Sequence, residues 1–167
     1  LTSEYSKYLS PQFLIIDGDE NPRFGFHDMG IITPLEYIFL FIGLYFLFKN
    51  KERWKLLLLT LLLISPLSAS LTWAGLSLSR SLFFLVPISI LSAYGFVKFS
   101  GSLKSNRNLV LAMLIGVELF FLLYSWNLYL NHYPKRPITI RAWQCGYKEL
   151  ADYVKKNYDR VDKFYIT

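Results

Sequence analysis

Carboxylates, one guanidinium and one imidazole lie close together ahead of the first long apolar run of this chain. An arginine can donate two parallel hydrogen bonds to a phosphate, and a histidine can act as donor, general acid or metal ligand. The same residue types are also typical of a solvated loop with local turn hydrogen bonds, and their spacing follows no fixed metal-ligand pattern. The group consists of Asp17, Asp19, Glu20, Asn21, Arg23, His27 and Asp28.

A second candidate is Arg80, which follows the short uncharged stretch 74–79 and precedes an uncharged apolar run. An arginine in this position can extend to the phosphates of ordinary lipids. It can equally hold the phosphate of one specific lipid-linked substrate. The residues alone do not decide between these two roles.

The third candidate is Glu118, which lies near the middle of the last long apolar run. A charged side chain there costs several kcal/mol unless it is neutralised or paired, so we expect Glu118 to face protein or a cavity. A transporter would use such a carboxyl for proton or ion coupling. The alternative is a protonated or hydrogen-bonded carboxyl in a contact between helices.

Four apolar runs must position these residues: 31–48, 56–73, 81–99 and 109–130. Each has about the length of 17 to 25 residues that a helix needs to cross the hydrocarbon layer. Hydrophobic residues make up 53% of the chain and aromatic residues 18%, which is too apolar for a water-soluble domain of 167 residues. The sequence therefore predicts a mainly α, polytopic membrane protein with about four transmembrane helices.

Charge and cysteine content exclude other classes of protein. The net charge of +6 is divided among several short segments and forms no basic stripe with interleaved aromatic residues, so we expect no nucleic-acid partner. The single cysteine, Cys145, excludes an internal disulfide framework and a multi-cysteine metal site. The lipid bilayer is the first partner that the composition predicts.

The connectors predict the orientation in the membrane. Lysine and arginine are concentrated in residues 49–55 and again around 98–107, and short basic connectors remain in the cytoplasm. Residues 1–33 then form an extracytoplasmic loop, 34–130 the four-helix membrane region, and 131–167 a second extracytoplasmic segment. This arrangement describes an integral protein of the cell membrane.

Local signals refine these elements. Thr33 and Pro34 are typical of a helix start, and prolines at 66 and 87 predict kinks. Beyond the apolar runs, we expect a strand at 138–140, a helix at about 146–157 and a strand at 164–166, as at the start of a small α/β segment. Since that segment looks unfinished and the chain does not begin with methionine, we expect a longer protein.

Three stretches together resemble the membrane-embedded, polyprenyl-phosphate-sugar-dependent glycosyltransferases of the protein mannosyltransferase and aminoarabinose transferase type. They occur in a consistent order and touch most of the chain. The chain departs from that pattern at Phe24 and Ser77, where related sequences tend to have histidine. The stretches are 18–23 with Gly30 and Glu36; 65–72 with 79–82 and Pro87; and 133–134 with 143–150 and 162–167.

This resemblance implies a fold and an activity. The fold would be the C-terminal part of a C-type glycosyltransferase, and the reaction would move a sugar from a polyprenyl-phosphate donor to a protein or glycolipid acceptor outside the membrane. A catalytic aspartate would lie upstream of residue 1, while Arg23, His27 and Arg80 would bind the substrate. Parts of this superfamily use a divalent metal, but this sequence does not indicate one. The alternative function is a segment of a transporter or lipid flippase that uses Glu118 for coupling.

Overall fold

A computed structural model describes residues 2–25, 27–50, 53–72, 76–103 and 106–158. These residues are mainly helical and contain no strand. A π-helical turn, Gln12–Ile16, follows the first helix, and a 3-10 turn, Leu82–Phe84, leads into the fourth. The helices are α1 (Thr2–Tyr8), α2 (Pro34–Lys49), α3 (Lys55–Ser70), α4 (Leu85–Ser102), α5 (Arg107–Asn127), α6 (Pro137–Ala142) and α7 (Tyr147–Asn157).

Two helical runs are long and apolar enough to cross a membrane, Leu82–Ser102 with 21 residues and Arg107–Lys135 with 29. Only 33% of the apolar window of the first and 0% of the second is buried inside the protein, unlike the core helix of a soluble domain. Helices α2 and α3 have 16 residues each and measure about 24 Å, which is shorter than the hydrocarbon layer. The structure thus confirms a mainly helical chain with two helical runs that could span a membrane, whereas four spans remain a prediction.

Helices α2 and α4 pack most closely, and two glycines face each other where they cross. A Cβ atom on Gly43 would lie 2.0 Å from the Leu91 carbonyl oxygen, and one on Gly95 would lie 2.0 Å from the Phe39 carbonyl oxygen. The ring of Phe39 packs edge-on against Phe96, with centroids 5.3 Å apart. Small residues let the two backbones approach, as in other membrane helix pairs.

The N-terminal residues complete the core at one end of these helices. Tyr8 and Phe13 are almost fully buried and pack edge to face, with ring centroids 5.0 Å apart. Leu14 accepts a backbone hydrogen bond from Ile32 over 3.0 Å, which fixes the π-helical turn beside the start of α2. The segment before α2 is therefore part of the packed body.

The predicted start of α2 is confirmed. The Thr33 hydroxyl accepts a hydrogen bond from the Glu36 amide over 3.1 Å, and the Glu36 carboxylate accepts one from the Thr33 amide over 2.8 Å. This reciprocal capping box, with Pro34 in the first turn, satisfies two amides that the helix cannot pair itself.

The region after α5 corrects the prediction of an α/β segment. Residues 138–140, predicted as a strand, lie inside α6. The proline at 137 explains this result, since its fixed φ favours the first helical turn, and the Ile140 amide donates to the Arg136 carbonyl over 3.1 Å. The predicted helix at 146–157 is confirmed as α7, while the predicted strand at 164–166 lies outside the described residues.

Candidate functional site

Asp19 joins two loops that carry candidate arginines, namely the Arg23 loop (residues 17–25) and the Arg80 loop (residues 76–81). Asp19 is only 1% exposed to solvent. One carboxylate oxygen accepts from the Leu78 amide over 2.6 Å, and the other accepts from the Asn21 amide over 2.7 Å. Because Asp19 is buried and each of its oxygens accepts from a backbone amide, its role is to anchor the two loops.

Two further contacts strengthen this junction. The Glu20 amide donates to the Leu76 carbonyl over 3.1 Å. The buried Tyr8 hydroxyl accepts from the Ser77 amide over 3.0 Å, and burial raises the pKa of Tyr8 above its ordinary value. A neutral phenol is therefore favoured at neutral pH. Residues from two parts of the sequence, Tyr8 and the Asp19–Glu20 pair, thus hold the Arg80 loop in one position.

The guanidinium of Arg80 lies at the exposed edge of this junction. It donates one hydrogen bond to the Thr72 hydroxyl over 2.8 Å. The Ser68 hydroxyl donates to the Arg80 carbonyl over 3.4 Å, so the C-terminal part of α3 also contacts the backbone of Arg80. A guanidinium has several further N–H donors, and this one is placed where a phosphate can reach it.

Arg23 points in a different direction. Its side chain is exposed, and its Nε atom donates to the Ala142 carbonyl at the end of α6. The Asn21 side chain accepts from the Arg23 amide over 3.0 Å and shapes the turn. Asp19 thus brings the two arginine loops together, but the two guanidinium groups have separate partners.

The remaining candidates of the segment before α2 are spread out. His27 is partly buried and has a left-handed backbone with φ of 57°, which is uncommon outside glycine. Asp28 pairs with Arg136, and Asp17 accepts a hydrogen bond from Gln12. Among the described residues, no three His, Cys, Asp or Glu side chains come together as a metal site would need. These side chains shape the segment before α2 and join it to Arg136, which follows the helical run 107–135.

Glu118 lies on a cleft between α2, α4 and α5. The cleft has a volume of about 200 Å³, and Glu36, Ser89 and Ser92 line it together with Glu118. Glu118 is partly buried and accepts a hydrogen bond from the Thr33 hydroxyl over 2.8 Å. The carboxyl therefore faces protein and a cavity, as its position in an apolar run requires.

A pocket at the end of α5 contains residues that sequence reasoning did not select as a site. It has a volume of about 370 Å³. The sequence contained a signal for this pocket: the pair Tyr133-Pro134, followed nine residues later by Trp143. Its lining includes Tyr129, Tyr133, Pro134, Thr139, Trp143 and Cys145.

Tyr133 connects this pocket with the Arg23 loop. Its hydroxyl lies 2.8 Å from the Pro22 carbonyl oxygen and 2.9 Å from that of Arg23, so it can donate to either. The same oxygen accepts from the indole N–H of Trp143 over 2.8 Å. The Tyr133 hydroxyl thus links the Arg23 loop to Trp143, the residue after α6.

Comparisons of the chain with models of protein families, with curated proteins and with solved structures find no match.

Proposed function

We propose that this chain is part of an integral membrane glycosyltransferase that moves a sugar from a polyprenyl-phosphate donor to a protein or glycolipid acceptor outside the membrane. The observation that carries the proposal is the junction at Asp19, which fixes the loops bearing Arg23 and Arg80 at one end of the apolar helices. The three stretches that resemble polyprenyl-phosphate-dependent transferases support the same reaction.

A four-span topology of the protein suits this reaction. In this topology α2 and α3 cross the bilayer beside the two longer helices, and both arginine loops lie on the extracytoplasmic face. The phosphate of a lipid donor sits at the boundary of the membrane, where an arginine can reach it while its stem stays in the apolar layer.

Arg80 would act on the leaving group. When the sugar leaves its lipid, negative charge grows on the lipid phosphate, and a fixed cation that neutralises this charge lowers the barrier. The bonds of Arg80 with Thr72 and Ser68 hold the residue before the substrate arrives. The family resemblance implies that an aspartate would act as the general base for the acceptor.

The test is sugar transfer by the full-length protein in lipid nanodiscs. We expect Arg80→Ala to lower the rate of transfer from a polyprenyl-phosphate sugar about 100-fold. Arg53→Ala is the matched control, since Arg53 is an exposed arginine in a connector at the opposite end of α2 and α3. Unchanged transfer by the Arg80→Ala protein would remove Arg80 from the proposal.

A transporter or lipid flippase is the second candidate, and the cleft with Glu36 and Glu118 favours it. Two carboxyl groups on one cleft beside apolar helices could exchange protons or ions during transport. If Glu118→Gln abolishes substrate movement into liposomes while no sugar transfer is detected, the transporter is the correct function. If sugar transfer proceeds and Glu118→Gln leaves its rate unchanged, glycosyl transfer is the correct function.

A further inference from the structure

Helix α7 has one apolar side and one charged side. Tyr147, Leu150 and Val154 are three and four residues apart, so at about 100° per residue they share one side of the helix. Glu149 and Asp152 lie on the far side. The helix is polar on the whole but its two sides are strongly separated, which is typical of a helix that lies in a membrane surface.

The apolar side of α7 is largely uncovered by the described part of the chain. No residue of α7 is buried. Tyr147 is exposed, and Leu150 and Val154 are only partly buried. Because apolar surface is unfavourable in water, we expect a cover for this side from outside the described residues.

The aromatic residues favour a bilayer over a protein as this cover. Tyr147 lies on the apolar side and Tyr153 at one edge of it, and both are exposed. A tyrosine hydroxyl in a protein core needs a hydrogen-bond partner, whereas water and phosphates supply one in the headgroup layer. Tyrosine is accordingly enriched where a membrane meets water.

The charges of α7 are sorted as a membrane surface requires. Lys148 and Lys155 are exposed and seven residues apart, so they lie together beside the other edge of the apolar side. A lysine stem can extend over apolar surface while its amine reaches a lipid phosphate. The carboxylates of Glu149 and Asp152, which phosphates would repel, lie away from this edge.

The place of α7 in the chain also favours a membrane boundary. The run Arg107–Lys135 is long and apolar enough to span a membrane, and only α6 and short turns separate it from α7. The indole N–H of Trp143 donates to the Tyr133 hydroxyl over 2.8 Å, which ties this connection to the end of the run. Helix α7 therefore follows a candidate span at the end where lipid headgroups would lie.

We propose that α7 lies on the surface of the phospholipid bilayer, with Leu150 and Val154 in the headgroup layer and Lys148 and Lys155 at lipid phosphates. The inference does not depend on sugar transfer. It needs only the run Arg107–Lys135 in the membrane. In the four-span topology, this surface is the extracytoplasmic one.

Fluorescence quenching tests this position in the full-length protein, held in nanodiscs of phosphatidylcholine and phosphatidylglycerol. In a background without other cysteines, including Cys145→Ser, the variants Val154→Cys and Lys156→Cys each carry one NBD fluorophore. Positions 154 and 156 are close along the helix axis but lie on opposite sides of α7, so they form a matched pair. A nitroxide on the lipid acyl chain, near the headgroup, reports contact with the bilayer, and aqueous iodide reports contact with water.

We expect the lipid nitroxide to quench the label at position 154 about threefold more than the label at 156, and iodide to show the opposite preference. A second pair of variants tests the lysines, with the label at Leu150→Cys. Lys155→Glu should lower quenching by the lipid about twofold, because a carboxylate would face lipid phosphates. Lys156→Glu makes the same change of charge on the far side and should leave quenching near that of the parent protein.

Protection of the label at 154 from both quenchers would mean that protein covers the apolar side, and the proposal would be wrong. Quenching of this label by iodide but not by lipid would place α7 in water and would also overturn it. Equal quenching of the labels at 154 and 156 by lipid would contradict a helix that lies on the surface. Equal effects of Lys155→Glu and Lys156→Glu, including none, would contradict the contact between the lysine edge and lipid phosphates.

Discussion

The Thr33 hydroxyl donates a hydrogen bond to the Glu118 carboxylate over 2.8 Å and so joins the start of α2 to the middle of α5. The same oxygen accepts from the Glu36 amide in the capping box. One side chain therefore closes a helix end and satisfies a carboxyl in an apolar run.

Replacement of Thr33 should destabilise the protein. Thr33→Ala removes the cap and leaves Glu118 without this donor, so we expect a loss of about 1–2 kcal/mol in the free energy of unfolding. Thr33→Ser keeps the hydroxyl and should stay near wild type. Thr60→Ala, at an exposed position of α3, is the control, and thermal unfolding in detergent is the measurement. Equal stability of the Thr33→Ala and Thr33→Ser proteins would contradict this role.

Asp19→Asn tests the junction between the two arginine loops. The substitution replaces one of two acceptor oxygens with an amide donor, so either the Leu78 or the Asn21 amide loses its partner. We expect a cost of about 1–3 kcal/mol in unfolding free energy. The exposed neighbour Glu20→Gln should change it by less than about 0.5 kcal/mol. Faster proteolysis within the Arg80 loop of the Asp19→Asn protein is the second expected sign.

The crossing of α2 and α4 should not tolerate a methyl group. Gly95→Ala places its Cβ against the Phe39 carbonyl oxygen, so the helices must separate, at a cost of about 1–3 kcal/mol. Gly116→Ala in α5 meets no atom within 4 Å and should be neutral or stabilising. Denaturation by SDS compares the two variants. If both behave alike, the close approach of these helices is wrong.

Stability should fall in alkaline solution because of Tyr8. Burial raises the pKa of Tyr8 in the folded state, so the folded protein keeps a proton that the unfolded chain releases from about pH 10 upward. The stabilisation is complete below the unfolded pKa and is lost as pH rises through the folded pKa. Melting temperatures between pH 8 and 11 should therefore fall more steeply in wild type than in Tyr8→Phe. Parallel curves would contradict the prediction.

Cysteine labelling from outside the cell tests the proposed topology. The exposed Cys145 should react with a membrane-impermeant thiol reagent in intact cells. In a Cys145→Ser background, Ser79→Cys should react in the same way, whereas Ser102→Cys should react only after the membrane is permeabilised. Both serines are exposed in the structure, so a difference reports on the side of the membrane. Reaction of both in intact cells would exclude the four-span arrangement.

The sequence predicted helices correctly where a capping residue, a proline or an amphipathic pattern marks them. The cap at Thr33 and the proline at 34 defined the start of α2, and amphipathic spacing defined α7. The strand at 138–140 was a wrong prediction, because its three consecutive β-branched residues were outweighed by a proline that favours a helical first turn.

The site was less predictable, because its contacts join distant parts of the chain. Asp19 was one of several loop carboxylates in the sequence, and only the fold makes it the buried partner of Leu78, which is 59 residues away. The bond between Tyr133 and the Arg23 loop spans 110 residues. No local pattern in the sequence indicates such pairs.

The two halves of α5 are held differently. Its side-chain hydrogen bonds to earlier elements, made by Glu118 and Ser125, lie in the second half of the helix, whereas none of its residues from Arg107 to Asn127 is buried. The first half of α5, from Arg107 to about Val117, therefore depends on the bilayer or on further protein to cover its apolar side chains, whereas the second half is also held by polar contacts with the segment before α2.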